Sequence, residues 1–351
     1  MKNLVKFHSL HNKYNGICSL ISTDPIIINI ARNLNPSLDF IDEYSLLFEC
    51  LKDRKVYLIN LWMWFAESDS IISRIKNAEV RMKHVYPNIK NYHLCNTLNQ
   101  LKRFEENNLE SVFCNNTCFL DENIYHPLEH SFKEFDAVYD ARIEKWKRHY
   151  LGEKIQSIAL IHYFAGDEYD KQFYQEVLKR FSNAHFFNLD KSGHHQTLYP
   201  KQINECLNKC RVGLCLSETE GAMYASGQYL LCGLPIVSTK SFGGRDVFFD
   251  DEYTIITEAD AEEITNAVQN LIDKDISPHL VREKTLLKMN EHRERFVALI
   301  QQIYDHAGCQ RTFKNEWNKL FFNKMLKYQS QIKIIKLINS YDFETKTSET
   351  R

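Results

Sequence analysis

The segment of residues 212–239 constrains the fold of this chain more than any other part of the sequence. It opens with a short apolar run at residues 212–216, which predicts a buried strand. An acidic turn at Glu220, an Ala- and Leu-rich helical stretch that ends at Gly233, and a second apolar run after Pro235 follow in order. A strand, a helix and a second strand joined by short turns predict one βαβ unit of a parallel sheet.

The turn of this βαβ unit occupies the place where open α/β sheets bind ligands, at the carboxyl end of a strand. The free N–H groups at the start of the helix, around Ala222, Met223 and Tyr224, would face an anion bound there. We therefore predict that this turn binds the phosphates of a nucleotide sugar.

The composition is that of a soluble globular protein with more than one domain. The chain has 351 residues, of which 44% are hydrophobic and 26% are charged. A formal net charge of -2 argues against a strong attraction to nucleic acid. The most apolar run, residues 56–65, is too short to span a membrane, and the first residues lack the features of a signal peptide. We expect a cytoplasmic protein that binds no nucleic acid.

The order of apolar runs and helical stretches predicts an α/β protein with two Rossmann-like domains. Apolar strand patterns alternate with helical patterns in both halves of the chain, as in parallel sheets. The expected boundaries are 1–128 for the first domain, 129–152 for a connection, and 153–308 for the second domain. Residues 309–351 are expected to form a C-terminal amphipathic helix and tail.

The C-terminal tail carries an apolar stripe that predicts a helix packing back across the domains. Apolar side chains recur mostly at spacings of three and four residues, with lysines between them. The stripe consists of Phe313, Trp317, Leu320, Phe321, Met325, Tyr328, Ile332 and Ile335. Peripheral contact with the inner face of a membrane through this helix stays open as the alternative, because basic amphipathic helices also bind lipid surfaces.

The ten cysteines do not form the spacing of a disulfide framework. Cys114 and Cys118 are four residues apart, as are Cys206 and Cys210, and a pair of histidines precedes the second pair. We expect reduced, structural cysteines. A zinc site at these pairs is the alternative, although the pattern lacks the full set of ligands that a zinc motif has.

The segment around Glu220 resembles the retaining "group 1" (family 4-like) glycosyltransferases. Their signature is a Glu, seven residues, a second Glu and a Gly-x-Pro turn into a strand. Here Glu220 takes the first position and Gly233-Leu234-Pro235 forms the turn. The resemblance extends over about residues 92–272 and implies the GT-B architecture of two Rossmann-like domains.

The resemblance also implies roles for individual residues. Glu220 would contact the hydroxyl groups of the donor sugar, and the backbone of residues 221–224 would cradle the diphosphate. The second acidic position, which holds the ribose in the family, falls on the neutral Gln228. Cofactor-binding residues are therefore expected at Gly221, Ala222, Met223, Tyr224, Gln228, Gly243 and Gly244.

The family also has an Arg and a Lys after the first strand of its second domain. Taking residues 158–163 as that strand leaves Lys171 as the nearest cation, and Arg245 is a second cation that could reach a phosphate. We therefore expect Glu220, Arg245 and Lys171 to be the catalytic residues. The resemblance further implies a metal-independent, hexosyltransferase-like enzyme with a UDP- or GDP-linked donor and no cofactor.

Three functions remain open from the sequence. The first is a retaining glycosyltransferase that acts on a glycan or glycolipid acceptor in bacterial surface polysaccharide synthesis, such as that of lipopolysaccharide or capsule. The second is a non-catalytic GT-B-shaped binding or scaffolding protein, which is favoured by Gln228 and by the lack of a clean match to the family's Arg and Lys. The third is another enzyme of the same architecture, such as a sugar-nucleotide epimerase, because a fold alone does not determine chemistry.

Overall fold

The computed structural model describes residues 18–32, 40–163, 170–317, 321–322, 325–326 and 329–349. The strands within these residues, in chain order, are β1 (Cys18–Thr23), β2 (Ile26–Arg32), β3 (Val56–Trp62), β4 (Ile89–Cys95), β5 (Ser111–Phe113), β6 (Phe135–Arg142), β7 (Ile158–Tyr163), β8 (His185–Phe186), β9 (Cys210–Cys215), β10 (Ile236–Thr239), β11 (Thr254–Thr257), β12 (Phe321–Phe322) and β13 (Met325–Leu326).

The α-helices are described in the same way. In chain order they are α1 (Phe40–Glu43), α2 (Ser45–Cys50), α3 (Asp69–Val85), α4 (Leu98–Glu106), α5 (Lys171–Arg180), α6 (Pro200–Asn208), α7 (Tyr224–Leu231), α8 (Ala261–Lys274), α9 (Pro278–His306) and α10 (Gln331–Glu349).

The chain divides into two compact units. The first consists of Met1–Phe119 together with His292–Arg351, and the second of Leu120–Glu291. The expected boundaries differ from this division in two places. The second unit ends at Glu291 instead of residue 308, and it begins at Leu120 instead of after a connection that runs to residue 152.

The predicted connection of residues 129–152 is wrong because it contains β6. This strand pairs in parallel with β7 on one side and with β9 on the other. Its central residues, Ala137 to Ala141, are all buried. The polar residues Asp136, Asp140 and Arg142 interrupt its apolar pattern, so the strand looked like part of a polar stretch.

The first unit is built on a sheet with the order β1-β2-β3-β4-β5. The pair β1 and β2 is antiparallel, and the other neighbours are parallel. Every residue of β2 and β3 is buried, as expected for central strands that are covered on both faces. One core of this unit combines Ile28 and Leu58 with Ile334 and Ile338 of α10.

The predicted long helix of the tail is wrong in part. Residues 313–316 form a 3₁₀ turn, β12 and β13 pair as an antiparallel hairpin, and α10 begins only at Gln331. Leu320 and Tyr328 of the predicted stripe lie outside the described residues. The aromatic pair Phe321-Phe322 suits a strand as well as a helix, which is why the spacing was ambiguous.

The apolar face of α10 is used inside the first unit. Ile334 and Ile338 are fully buried there, and the neighbouring Lys333 and Lys336 are exposed. Among the described residues, no helix combines the length and the apolar character needed to cross a bilayer.

The second unit contains a fully parallel sheet with the order β11-β10-β9-β6-β7-β8. Numbered from its first strand, β6, this is the order 3-2-1-4-5-6 of dinucleotide-binding Rossmann domains. The predicted βαβ unit is confirmed as β9, α7 and β10, and the two strands pair in parallel. The strand order reverses between β6 and β9. In open α/β sheets, ligands bind outside the carboxyl ends of the strands at this switch point.

Close packing of α7 on β9 depends on Gly213. A Cβ atom at this position would overlap the ring of Tyr229, which lies on α7. The hydroxyl of Tyr229 accepts a hydrogen bond from the backbone N–H of Asp140 on β6, at 2.6 Å. One helix is thus fixed to both strands that flank the switch point.

We expect Gly213→Ala to lower the free energy of unfolding by about 1–3 kcal/mol, because the added methyl group must displace a buried tyrosine ring. Urea denaturation checks this value. Arg211→Ala is the matched control, since Arg211 lies exposed on the same strand and its replacement should change stability by no more than about 0.5 kcal/mol. Equal stability of the two variants would contradict the packing role of Gly213.

Candidate functional site

The carboxyl ends of β6 and β9 bring two loops together at the switch point of the second unit. The loop after β6 contains Lys147 and Arg148, and the loop after β9 leads to Glu220 and Gly221. Because β6 and β9 are neighbours in the sheet, these loops lie side by side. The residues that meet here define the candidate site.

A buried ion pair between Lys147 and Glu220 lies at the centre of the site. The ammonium group contacts Oε1 of the carboxylate, and the two side chains are only 6% and 7% exposed. The ammonium also lies over the ring of Trp146, 4.2 Å from its centroid. Burial lowers the pKa of Lys147, and the charge of Glu220 opposes this shift. Burying two charges costs free energy, and buried ionisable groups of this kind are concentrated at functional sites.

The turn that carries Glu220 is braced by the loop after β10. The N–H of Glu220 donates to the carbonyl of Phe242 at 2.9 Å. The N–H of Phe242 donates to the backbone carbonyl of Glu218, also at 2.9 Å. The N–H of Gly244 donates to the carbonyl of Gly221 at 2.7 Å. The structure therefore brings Glu220, Gly221 and Gly244 together, as predicted.

Gly243 and the start of α7 complete this turn. Gly243 has a φ of 97°, a conformation that residues with a Cβ atom rarely adopt. Helix α7 begins at Tyr224, directly after Met223, which is its N-cap residue. Gly221 and Met223 are buried, whereas Ala222 and Tyr224 are partly exposed. The amino end of the helix thus lies at the candidate site, where its dipole favours an anion.

Gln228 lies within α7, one turn beyond the start of the helix. Its side chain is buried, and Nε2 donates to the hydroxyl of Tyr125 at 3.0 Å. Burial raises the pKa of Tyr125, so this phenol stays neutral and able to accept the bond. The expected contact of Gln228 with a ribose stays a prediction.

The structure does not place Arg245 as a cation for a phosphate. Its side chain is completely buried, and Nη1 donates to the carbonyl oxygens of Cys215 and Ser217 at 3.0 and 2.6 Å. Nη2 donates to the carbonyl of Thr239, and Nε donates to Asp246 at 2.6 Å. The guanidinium therefore ties the ends of β9 and β10 to each other. The expectation of a catalytic role for Arg245 is wrong for this reason.

Lys171 does not take part in the ion pair. It is the first residue of α5 and is exposed, and it follows β7, the second strand of the unit. The first strand is β6, which ends at Arg142, and Lys147 follows five residues later. The guanidinium of Arg142 lies over the ring of Tyr163, 5.8 Å from its centroid. Arg142 and Lys147, and not Lys171, are therefore the cations that follow the first strand of the unit.

Sequence reasoning missed Arg142 and Lys147 because it placed β6 in the connection. A usable signal was present. Val138 and Tyr139 are strong strand formers, and small alanines flank them in a run that ends at Arg142. An Arg at a strand end followed by a Lys within one turn would have identified the pair.

The cysteines are free and mostly buried. The sulfur atoms of Cys114 and Cys118 are 3.8 Å apart, and burial raises the pKa of Cys114, which keeps the thiol protonated. Within the described part of the chain, no three or more His, Cys, Asp or Glu side chains are grouped to hold a metal ion.

A family model described as "Glycosyl transferases group 1" matches residues 141–274. The matched segment begins in β6 and ends with α8, so it contains Lys147, Glu220 and the whole βαβ unit between β9 and β10. Residues 141–274 are therefore similar to a group 1 glycosyltransferase domain. The match confirms the resemblance described above and the prediction of a glycosyltransferase enzyme.

Several solved structures share the fold. HepE from Anabaena in complex with UDP superposes with a TM-score of 0.54 and 12% identity, over 76% of this chain and 82% of HepE. HepE in complex with UDP and glucose gives 0.52 and 13%, over 78% and 83%. A mutant of TarM from S. aureus, with fondaparinux, alpha-GlcNAc-glycerol and UDP, gives 0.50 and 14%, over 74% and 59%. These likenesses confirm the α/β fold with two Rossmann-like domains. No curated protein matches the sequence.

His149 gives this glycosyltransferase domain an acid-sensitive site next to Lys147. Burial, together with the nearby positive charge of Lys147, lowers the pKa of His149 to about 3. The ring packs against Tyr139, with 5.0 Å between centroids. A neutral imidazole avoids placing a second positive charge beside the ion pair.

We expect the free energy of unfolding to fall as the pH decreases from about 6.5 toward 3. In this window the unfolded chain protonates His149 and the folded chain does not, so each pH unit costs about 1.4 kcal/mol. Chemical denaturation at pH 7 and pH 5 checks this. In His149→Leu the decrease should be smaller by the contribution of one histidine, while exposed His194→Gln should behave as wild type. An identical pH dependence in wild type and His149→Leu would contradict the assignment.

Proposed function

We propose that this protein is a retaining glycosyltransferase that moves a sugar from a UDP- or GDP-linked donor to a glycan or glycolipid acceptor. The observation that carries the proposal is the buried Lys147–Glu220 pair at the switch point of the matched domain. A site at this position has a cation, a carboxylate and a helix amino end within one small region. Those are the groups that a sugar diphosphate needs.

The positive groups would stabilise the leaving diphosphate. When the bond between the anomeric carbon and the phosphate oxygen breaks, its electron pair stays on the diphosphate. The ammonium of Lys147 and the N–H groups at the start of α7 would offset this charge. Arg142, the last residue of β6, is a second cation at the carboxyl end of this strand.

Glu220 would orient the donor sugar. A carboxylate accepts hydrogen bonds from two adjacent sugar hydroxyl groups, and the pair with Lys147 fixes the direction of this carboxylate. The acceptor hydroxyl then forms a new bond to the anomeric carbon, and its proton passes to the departing diphosphate. Such orientation of two reacting groups is a large part of what a transferase contributes.

Gln228 would contact the ribose through the carbonyl oxygen of its side-chain amide. Since Nε2 donates to the tyrosine hydroxyl, the carbonyl oxygen of the amide can accept a bond from a ribose hydroxyl. We propose no metal or cofactor, as the family resemblance implies, because Lys147 supplies the positive charge at the diphosphate. The first unit would bind the acceptor, and bacterial surface polysaccharide synthesis is the setting that the resemblance suggests.

The second candidate is a non-catalytic GT-B-shaped binding or scaffolding protein. It is favoured by Gln228, which stands where the family has an acid. The other feature that favoured it was the lack of an Arg and a Lys after the first strand of the domain. Arg142 and Lys147 lie at and after the end of β6, the first strand of the domain, so Gln228 alone supports the scaffolding candidate.

We expect Glu220→Gln and Lys147→Gln each to lower kcat of sugar transfer by at least about 100-fold, because each removes a charge that acts on the reacting groups. Transfer and donor hydrolysis are measured with a panel of nucleotide sugars. Lys171→Gln is the matched control and should keep wild-type kcat, because Lys171 is exposed and belongs to a different loop.

Loss of folding must be separated from loss of chemistry. Breaking a buried pair by removing one partner costs about 3–5 kcal/mol of stability, so the variants are assayed at a temperature where circular dichroism shows them folded. Nucleotide binding without turnover by the wild type would favour the scaffolding candidate. Loss of activity in Lys171→Gln but not in Lys147→Gln would contradict the assignment of the site.

A further inference from the structure

Arg148, which directly follows Lys147, has an unusual backbone conformation. Its φ and ψ are 53° and 44°, in the left-handed region. Residues with a Cβ atom seldom adopt this conformation, which persists only where surrounding contacts impose it. Strained residues of this kind concentrate at functional sites, where contacts from the surrounding structure hold them in place.

The side chain of Arg148 connects the loop after β6 to the ends of two other strands. Nε donates to the carbonyl oxygen of Leu216 at 2.6 Å, and Nη2 donates to Oγ1 of Thr239 at 2.7 Å. Leu216 directly follows β9, and Thr239 is the last residue of β10. One planar guanidinium therefore fixes the loop after β6 to two strand ends, which a flexible ammonium could not do with the same geometry.

A second contact, from β6, holds the backbone of Lys147. Its carbonyl oxygen accepts a hydrogen bond from the hydroxyl of Tyr139 on β6, at 2.5 Å. Burial raises the pKa of Tyr139, so this hydroxyl keeps its proton and remains a donor. The Tyr139 hydroxyl and the Arg148 side chain therefore hold the backbone at Lys147, whose ammonium contacts Glu220.

We propose that Arg148 is a positioning residue for the transfer reaction. It holds the Lys147 ammonium at Glu220 by joining the loop that carries Lys147 to the strand end that leads to Glu220. The left-handed backbone is the conformation that directs the guanidinium back toward β9 and β10. Two of its three nitrogen atoms bond to the protein, so Arg148 acts through Lys147 and not as the cation at the phosphate. This inference rests on the function proposed above.

Two replacements separate geometry from charge. Arg148→Gly accepts the left-handed backbone without strain but removes both hydrogen bonds. Arg148→Lys keeps the charge but loses the planar fork. Asp275→Gly is the matched control, because Asp275 also has a left-handed backbone (φ 44°) at the end of α8 and makes no contact with the ion pair.

We expect both Arg148 variants to lower kcat by roughly tenfold or more, because small misplacements of a catalytic group have effects of this size. Their Kd for UDP, measured by calorimetry, and their KM for the donor should stay close to wild type. The thermal midpoint of Arg148→Gly should also stay close to wild type, since the strain is relieved. Asp275→Gly should match wild type in kcat.

Three outcomes would overturn the proposal. Wild-type kcat in Arg148→Gly would show that the two hydrogen bonds do not matter for catalysis. Full activity in Arg148→Lys, with weaker UDP binding in Arg148→Gly, would make Arg148 a direct phosphate ligand. A kcat loss that follows a large drop in the thermal midpoint would make its role structural only. If Glu220→Gln and Lys147→Gln retain full activity as well, the proposed function itself fails.

Discussion

The buried ion pair between Lys147 and Glu220 is the interaction on which the rest of the second unit depends. Two charges that are removed from water cost several kcal/mol each, and their attraction offsets this only with good geometry and further hydrogen bonds. The fold provides that geometry by placing the pair where the strand order reverses, between β6 and β9. A core of apolar residues could have filled the same space at lower cost, which supports the proposed role of the pair in the transfer reaction.

Two arginines maintain this geometry, and neither would be recognised as structural from the sequence. Arg245 joins the carbonyl oxygens of Cys215, Ser217 and Thr239, and Arg148 joins Leu216 to Thr239. Together they fix the ends of β9 and β10 to each other and to the loop that carries Lys147. A rigid frame of this kind lets the loops meet a charged ligand without reorganising, which is the source of electrostatic catalysis in preorganised sites.

The sequence predicted the fold class, the βαβ unit of residues 212–239 and the meeting of Glu220 with Gly221 and Gly244. These followed from local signals, namely short apolar runs, a Gly-Pro stop and an acidic turn. It did not predict β6, because Asp136 and Asp140 break the apolar pattern of a strand that becomes buried only through its neighbours. That one error displaced the expected cations to Lys171 and Arg245 and hid Lys147. Whether this segment forms a strand is determined by its pairing with β7 and β9. Such long-range pairing produces no periodic pattern in the sequence.

The central claim is that a sugar diphosphate binds at the switch point, against Lys147 and the amino end of α7. A crystal structure with UDP bound tests it most directly. The claim predicts diphosphate oxygens within hydrogen-bond distance of the Lys147 ammonium and of the N–H groups of residues 222–224. A diphosphate bound away from both of these groups would contradict the account.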